Sequence, residues 1–165
     1  MTMTTNKKFL EQITQMADMY KLPQHKVPTL PADVASRLAK FKITLSEEVD
    51  EIDDIIALVN TTTLNNLDET DEQAKHRKNL EVMTAVADLL GDVIVYCRSE
   101  ALKYGIPLEA VLGTIMDSNA SKLGADGLPI YNENGKFMKG PNYYKPEPMI
   151  TKLLQVCGGV TQGTW

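Results

Sequence analysis

The chain has 165 residues, of which 43% are apolar and 24% are charged, and its formal net charge at pH 7 is −5. This length is enough for a single domain, residues 1–165, with its own core, and the composition is that of an ordinary globular protein. The negative charge argues against sequence-independent binding of nucleic acid, which requires a basic surface. Small phosphorylated ligands are not excluded, because a few lysines and a metal ion can bind them.

Targeting and cysteine patterns favour a soluble protein. The first residues contain no apolar signal core, and no stretch approaches the length of a membrane span. Cys97 and Cys157 lie far apart and match no metal-binding or redox spacing. Cys97 lies in an apolar run, where a buried side chain is expected. We therefore expect a reduced, cytoplasmic protein that has no membrane partner.

The first part of the chain predicts two helices and a connector. Apolar residues recur with helical spacing over residues 7–20 and again over residues 32–60. The segment between them contains three prolines, which favour extended backbone.

Acids interrupt the apolar stripe of the second predicted helix. Glu48 fills the gap between Leu45 and Ile52, Glu51 lies on the edge of the same face one turn on, and Glu47 lies further round. A solvated run of charges would face away from the apolar stripe, and Glu48 does not. The alternative is a plain acidic helix face, since glutamate is a good helix former.

A polar, turn-rich segment over residues 61–71 predicts a mobile loop, and a third helix follows over residues 72–104. Between Val82 and Cys97 this helix is apolar nearly all round, which is typical of a central buried helix. Gly105, followed by Pro107, ends it.

Two further acids lie inside this apolar helix. Asp88 and Asp92 are one turn apart, and buried acids are rare unless they are paired. Either a cation joins them to the glutamates of the second helix, or each pairs with a base such as Lys42 or Arg98.

Carboxylates crowded on one buried surface repel each other unless a cation joins them, so the acids predict a divalent metal site. All-oxygen ligands without His or Cys suit Mg²⁺, with Mn²⁺ as a substitute, and a di-iron site would require Glu-x-x-His pairs. His25 and His76 lie in the connector and near the loop and are expected on the surface. The predicted metal ligands are Glu48, Glu51, Asp88 and Asp92, and Glu47 is the candidate for orienting or deprotonating a water molecule.

The last part of the chain predicts a helix over residues 108–120, a β-hairpin over residues 128–140 that turns at Asn134-Gly135, and a short helical piece in the tail. Lysines, asparagines and tyrosines alternate between Ser118 and Pro146. Lysine charges and amide donors bind phosphate groups. The candidates for substrate binding are Asn119, Lys122, Lys139 and Tyr143, and the alternative is a plain surface hairpin.

These motifs resemble those of the all-alpha nucleoside-triphosphate pyrophosphohydrolases, the superfamily of the MazG-like proteins, phosphoribosyl-ATP pyrophosphohydrolases and dimeric dUTPases. The run from Glu47 to Glu51 is similar to the first motif of that superfamily, EExxE, and the run from Asp88 to Asp92 resembles the second. The segment from Ser118 to Pro146 is similar to a C-terminal stretch of one MazG-like and phosphoribosyl-ATP-pyrophosphohydrolase-like branch.

The resemblance implies an all-α bundle of four to five helices that completes its core by homodimerising, sometimes further to a tetramer. It also implies Mg²⁺-dependent cleavage of a nucleotide between its α- and β-phosphates. The chain departs from the pattern at Leu89, where the second motif, ExxD, has its glutamate, so Asp88 is expected to take over that role. The loop between the acidic motifs is also longer than usual.

Three alternatives remain open at this point. The first is phosphoribosyl-ATP pyrophosphohydrolase activity in histidine synthesis, with the same metal chemistry. The second is a non-catalytic helical dimerisation module with a structural cation, which Leu89 favours. The third is a plain helical bundle whose acids pair with bases.

Overall fold

The computed structural model describes residues 6–65 and 72–163. In this part of the chain the fold is 66% helical, which confirms the mostly helical class predicted from the sequence. It contains five α-helices: α1 (Asn6–Met19), α2 (Val34–Asn65), α3 (Glu72–Lys103), α4 (Leu108–Ala120) and α5 (Glu147–Val156). Two three-residue strands, β1 (Thr29–Pro31) and β2 (Thr161–Gly163), complete it. No described helix combines the length and apolarity that crossing a membrane requires.

Helix α2 extends five residues into the segment predicted as a loop. It continues to Asn65, because residues 61–65 contain no glycine or proline that would end a helix. The remainder of the predicted loop, residues 66–71, lies outside the described residues. At its other end α2 begins at Val34, two residues later than predicted.

The described chain divides into two compact units. We call residues 33–100 the central unit, and residues 1–32 with 101–165 the terminal unit. The central unit contains α2 and most of α3, and the terminal unit contains the other elements.

In the terminal unit, α1 buries Ile13 and Ala17, one turn apart on the stripe that predicted the helix. The helix ends in a Schellman motif: Lys21 adopts the left-handed region at φ 55°. The backbone N–H of Leu22 then donates to the carbonyl of Ala17 at 2.8 Å. This turn leads the chain into the connector.

The connector is held against the C-terminal end of α3. His25 N donates to the Leu102 carbonyl at 3.1 Å and Thr29 N to the Tyr104 carbonyl at 2.9 Å. Gly105 has φ 65°, and a Cβ there would lie 2.1 Å from the Val27 carbonyl oxygen. Only glycine permits both this backbone conformation and this close approach.

His25 is not a plain surface residue. Its Nδ1 lies 2.7 Å from the Lys103 carbonyl oxygen, and the residue is half-buried, because the connector packs against this helix end. His76 is exposed, as expected.

Strands β1 and β2 form a parallel two-stranded sheet in which Thr29 pairs with Thr161 and Pro31 with Gly163. The sequence pattern did not predict this sheet. Strands of three residues have too few positions to show an alternating pattern, and their partners lie far apart in the sequence.

The segment predicted as a β-hairpin reverses direction but forms a single antiparallel bridge, between Tyr131 and Phe137. Asn132 closes the turn, since its side-chain oxygen accepts hydrogen bonds from the Asn134 and Lys136 backbones. The rings of Tyr131 and Phe137 meet edge to face, 5.7 Å apart. Two paired strands over residues 128–140 therefore stay a prediction.

In the central unit the prediction of a buried α3 is wrong for the chain taken alone. Met83 is 65% exposed and Leu90 and Ile94 are each 57% exposed. Cys97, predicted to be buried, is also exposed. An apolar helix surface needs a partner to cover it, and the described part of this one chain does not provide enough surface to do so.

Candidate functional site

Glu48 is the buried acid of the central unit. It lies in the middle of α2 and only 6% of its surface is exposed. Its Oε2 atom has no hydrogen-bond partner. A buried carboxylate oxygen without a partner costs free energy, so such an atom calls for an explanation, and an ion is one.

The electrostatics of Glu48 come from its burial and from the other four predicted acids. Burial raises the pKa of its carboxyl first, and the negative charges of Glu51, Asp92, Glu47 and Asp88 raise it further, in that order. Two of these charges lie on the same helix and two on α3. The structure thus brings the five acids into one field centred on Glu48, which we call the acid cluster.

The side chains of the acid cluster do not converge as they stand. Among the described residues, no three His, Cys, Asp or Glu side chains form a group that could hold a metal ion. Glu47, Glu51 and Asp88 are exposed and Asp92 is half-buried. Exposed side chains change rotamer within nanoseconds, and three of the five acids are of this kind.

The donor chemistry of the acid cluster fits a hard divalent cation. All its donors are carboxylate oxygens, as Mg²⁺ and Mn²⁺ prefer. The orphaned Oε2 of Glu48 supplies a buried ligand atom. The charges that act on Glu48 are four acids, and a cation would relieve the repulsion among all of them at once.

Tyr96 is a member of this site that the sequence analysis missed. Burial raises the pKa of its phenol, followed by the charges of Glu48, Asp92, Glu47 and Glu51. It lies one turn beyond Asp92 on α3, so the spacing 88, 92, 96 was the available signal. A phenol kept protonated beside carboxylates is a hydrogen-bond donor.

The four predicted substrate-binding residues form two pairs. Lys122 Nζ donates to Asn119 Oδ1 at 2.7 Å, and Lys139 Nζ lies 4.5 Å from the ring centroid of Tyr143. The first pair extends from the end of α4, and the second lies about twenty residues further along the chain.

Backbone contacts hold these two pairs in one segment of the terminal unit. Gly140 N donates to the Lys122 carbonyl at 2.8 Å, and Tyr144 N lies 3.2 Å from Ser121 Oγ. A Cβ on Gly140 would lie 1.9 Å from the Leu123 carbonyl oxygen, so only glycine fits here. We call the set Asn119, Lys122, Lys139 and Tyr143 the lysine segment.

Comparison with known proteins adds little to these observations. No protein-family model matches the chain, and no curated protein matches its sequence. Among solved structures, the fold is similar to that of a protein from Exiguobacterium sp. 255-15 that was provisionally named an NTP pyrophosphohydrolase. The TM-score is 0.44 at 20% identity, over 89% of this chain and 94% of that chain. A similarity of this degree supports no argument about activity, which depends on the site itself.

Proposed function

We propose that the chain is a Mg²⁺-dependent nucleotide pyrophosphohydrolase that cleaves a ribo- or deoxynucleoside triphosphate to the monophosphate and pyrophosphate. A house-cleaning role in the cytoplasm is part of this proposal. The observation that supports it most is the buried, unpartnered carboxylate oxygen of Glu48 amid four other acids. The resemblance of the acidic motifs to those of the all-alpha pyrophosphohydrolases supplies the reaction type.

In this proposal Glu48, Glu51, Asp88 and Asp92 hold one or more Mg²⁺ ions, for which Mn²⁺ can substitute. The ion supplies positive charge for the phosphate oxygens and acidifies water. Glu48 is the fixed, buried ligand, and the more exposed acids close around the ion by changing rotamer. Asp88 takes the role of the glutamate that Leu89 replaces.

Glu47 and Tyr96 complete the polar surroundings. Glu47 is exposed on α2 and adds to the negative field on Glu48. In this proposal its carboxylate orients or deprotonates water entering the cluster. The protonated phenol of Tyr96 donates a hydrogen bond to a carboxylate or a phosphate oxygen.

The lysine segment binds the nucleotide or its phosphates. Two ammonium groups and the amide of Asn119 provide donors for anionic oxygens, and the Lys139–Tyr143 contact holds one of the lysines. The hydrogen bonds of Gly140 and Tyr144 keep the two pairs together, so they can act on one ligand.

A second copy of the chain covers the exposed apolar helix faces, giving a homodimer or a tetramer. Met83, Leu90 and Ile94 follow the a and d spacing of a heptad along α3, and each is more than half exposed. Burial of this stripe against a second copy explains why α3 has the apolar sequence that is typical of a central, buried helix.

A nucleotide panel tests the activity. With Mg²⁺ present, we expect the chain to release pyrophosphate from at least one deoxy- or ribonucleoside triphosphate, and phosphoribosyl-ATP belongs in the same panel. Glu48→Gln should lower kcat at least about 100-fold, as loss of one preorganised electrostatic contact does. The matched control is Asp50→Asn, because Asp50 is an exposed acid of the same helix and should keep its activity.

The other outcomes separate the alternatives. Cleavage of phosphoribosyl-ATP alone would assign the chain to histidine synthesis instead of nucleotide house-cleaning. No hydrolysis of any nucleotide, even with Mn²⁺, would instead favour a non-catalytic module. Full activity in Glu48→Gln would contradict the site assignment.

A further inference from the structure

A cavity of about 520 Å³ that is broadly open to solvent lies in the central unit beside the acid cluster. Its walls are Leu58 of α2 and residues of α3 from Arg77 to Asp88. This volume is in the range of sites for small organic ligands, about 300–1,000 Å³. Asp88 belongs both to the cavity wall and to the acids that act on Glu48, so the cavity adjoins the cluster.

The cavity extends along α3 away from the acids. Arg77 and Asp88 are separated by three helical turns, which is about 16 Å along the axis at about 1.5 Å per residue. A ligand that places a phosphate near Asp88 therefore has the remaining wall available for its other end. Glu81 and Arg77 line the cavity where that other end of the ligand would lie.

The end of the cavity at Arg77 and Glu81, which we call the far wall, is better suited to a nucleotide base than to a phosphate. Leu58 and Leu80 provide apolar surface for a flat ring. At this end the carboxylate of Glu81 offsets the single guanidinium of Arg77, so there is no net positive charge to hold a phosphate.

Glu81 and Arg77 offer complementary hydrogen bonding. They are one turn apart on α3 and both line the cavity. A carboxylate accepts hydrogen bonds only, and a guanidinium donates them only. Together they match a base edge that carries both an amino group and a carbonyl oxygen, as in the pairing of glutamate with the cytosine amino group and of arginine with guanine oxygen.

We propose that this cavity is the base subsite of the enzyme and that Glu81 and Arg77 select bases bearing both an amino group and a carbonyl oxygen, cytosine and guanine. Glu81 accepts from the amino group and Arg77 donates to the carbonyl. Thymine and uracil lack the amino group, and adenine lacks the carbonyl. This inference rests on the proposed function, since it assumes a nucleotide at the acid cluster.

Steady-state kinetics with the four deoxynucleoside triphosphates tests the subsite. We expect a lower KM for dCTP and dGTP than for dTTP and dATP. Glu81→Met and Arg77→Met should each raise the KM of the preferred pair about tenfold, the effect of losing one hydrogen bond to a charged group. The kcat should stay within about twofold, because neither residue lies in the acid cluster. Lys75→Met is the matched control, since Lys75 is an exposed base of α3 outside the cavity wall.

Calorimetric binding of dCMP, dGMP, dTMP and dAMP without metal gives a readout that is independent of turnover. Tighter binding of dCMP and dGMP, lost in Glu81→Met, would support the subsite. Hydrolysis by the unmodified chain with equal effects of the variants on all four bases would overturn the subsite and leave the proposed function intact. Absence of hydrolysis, together with no difference in binding among the monophosphates, would overturn both.

Discussion

Glu48 is the residue on which the proposed chemistry depends, because it combines burial with negative surroundings. Only 6% of its surface is exposed, and the other four acids of the cluster raise its pKa in addition to burial. An ionised carboxylate in this position destabilises the folded chain unless a cation is present. This cost is the physical basis for assigning a ligand role to the residue.

The raised pKa of Glu48 predicts how stability depends on pH in metal-free protein. Below the ordinary glutamate pKa the carboxyl is neutral in both the folded and the unfolded state, so it adds no penalty. Between the ordinary pKa and the raised one, the folded state keeps this proton at pH values where the unfolded state has already lost it. The free energy of unfolding therefore falls over this window.

Thermal unfolding in EDTA between about pH 4 and pH 8 measures this fall. In Glu48→Gln the decrease should be smaller, because the side chain no longer ionises. Asp50→Asn should retain the full decrease, because Asp50 is exposed and is not one of the acids whose charges act on Glu48. Identical pH profiles for Glu48→Gln and the unmodified chain would show that Glu48 is not the group responsible.

Individual residues of the candidate site were predictable from the sequence only where they broke a pattern. Glu48 was predicted because a charge occupied the gap between Leu45 and Ile52 on an apolar stripe. Tyr96 was not, since a tyrosine in an apolar helix looks like a core residue until its acidic neighbours are known. The orphaned Oε2 of Glu48 is a property of packing that no sequence pattern expresses.

The helices are the elements that the sequence predicted well, because the 3.6-residue period extends over many turns in each. The observed starts and ends differ from the predicted ones by at most two residues, except where α2 continues to Asn65. The β1–β2 pair was missed because each strand has three residues and the register joins Thr29 to Thr161. A local sequence pattern contains no information about pairing between two segments that lie so far apart in the chain.

The exposed stripe of α3 predicts a specific interface. A charge placed within an apolar interface between two copies is desolvated without a partner and should abolish association. Ile94→Glu is therefore expected to convert a dimer into a species of 18.3 kDa, as measured by light scattering. Lys75→Glu, outside the stripe on the same helix, should remain a dimer.

Two results would contradict this interface. One is an unmodified chain that remains monomeric at micromolar concentration. The other is an Ile94→Glu variant as dimeric as the control. In the second case the helix surface exposed at Met83, Leu90 and Ile94 would have to serve another purpose.

At the scale of the whole molecule, the two units contain different parts of the proposed machinery. The central unit contains the acid cluster and the adjoining cavity, and the terminal unit contains the lysine segment. The chain has a net charge of −5, and five of its acids lie together in the acid cluster, where a bound cation would offset their charge. Composition indicated a globular protein without specifying this separation, because it does not record which residues fold together.

The central claim is that the acid cluster holds a divalent cation, and thermal unfolding with and without Mg²⁺ tests it most directly. A ligand that binds the folded state at 100 times its dissociation constant stabilises it by about 2.7 kcal/mol, or about 5–10 °C for a chain of this size. We expect that rise in the unmodified chain and in Asp50→Asn, and its loss in Glu48→Gln. An unchanged melting temperature in saturating Mg²⁺, relative to NaCl of equal ionic strength, would contradict the account.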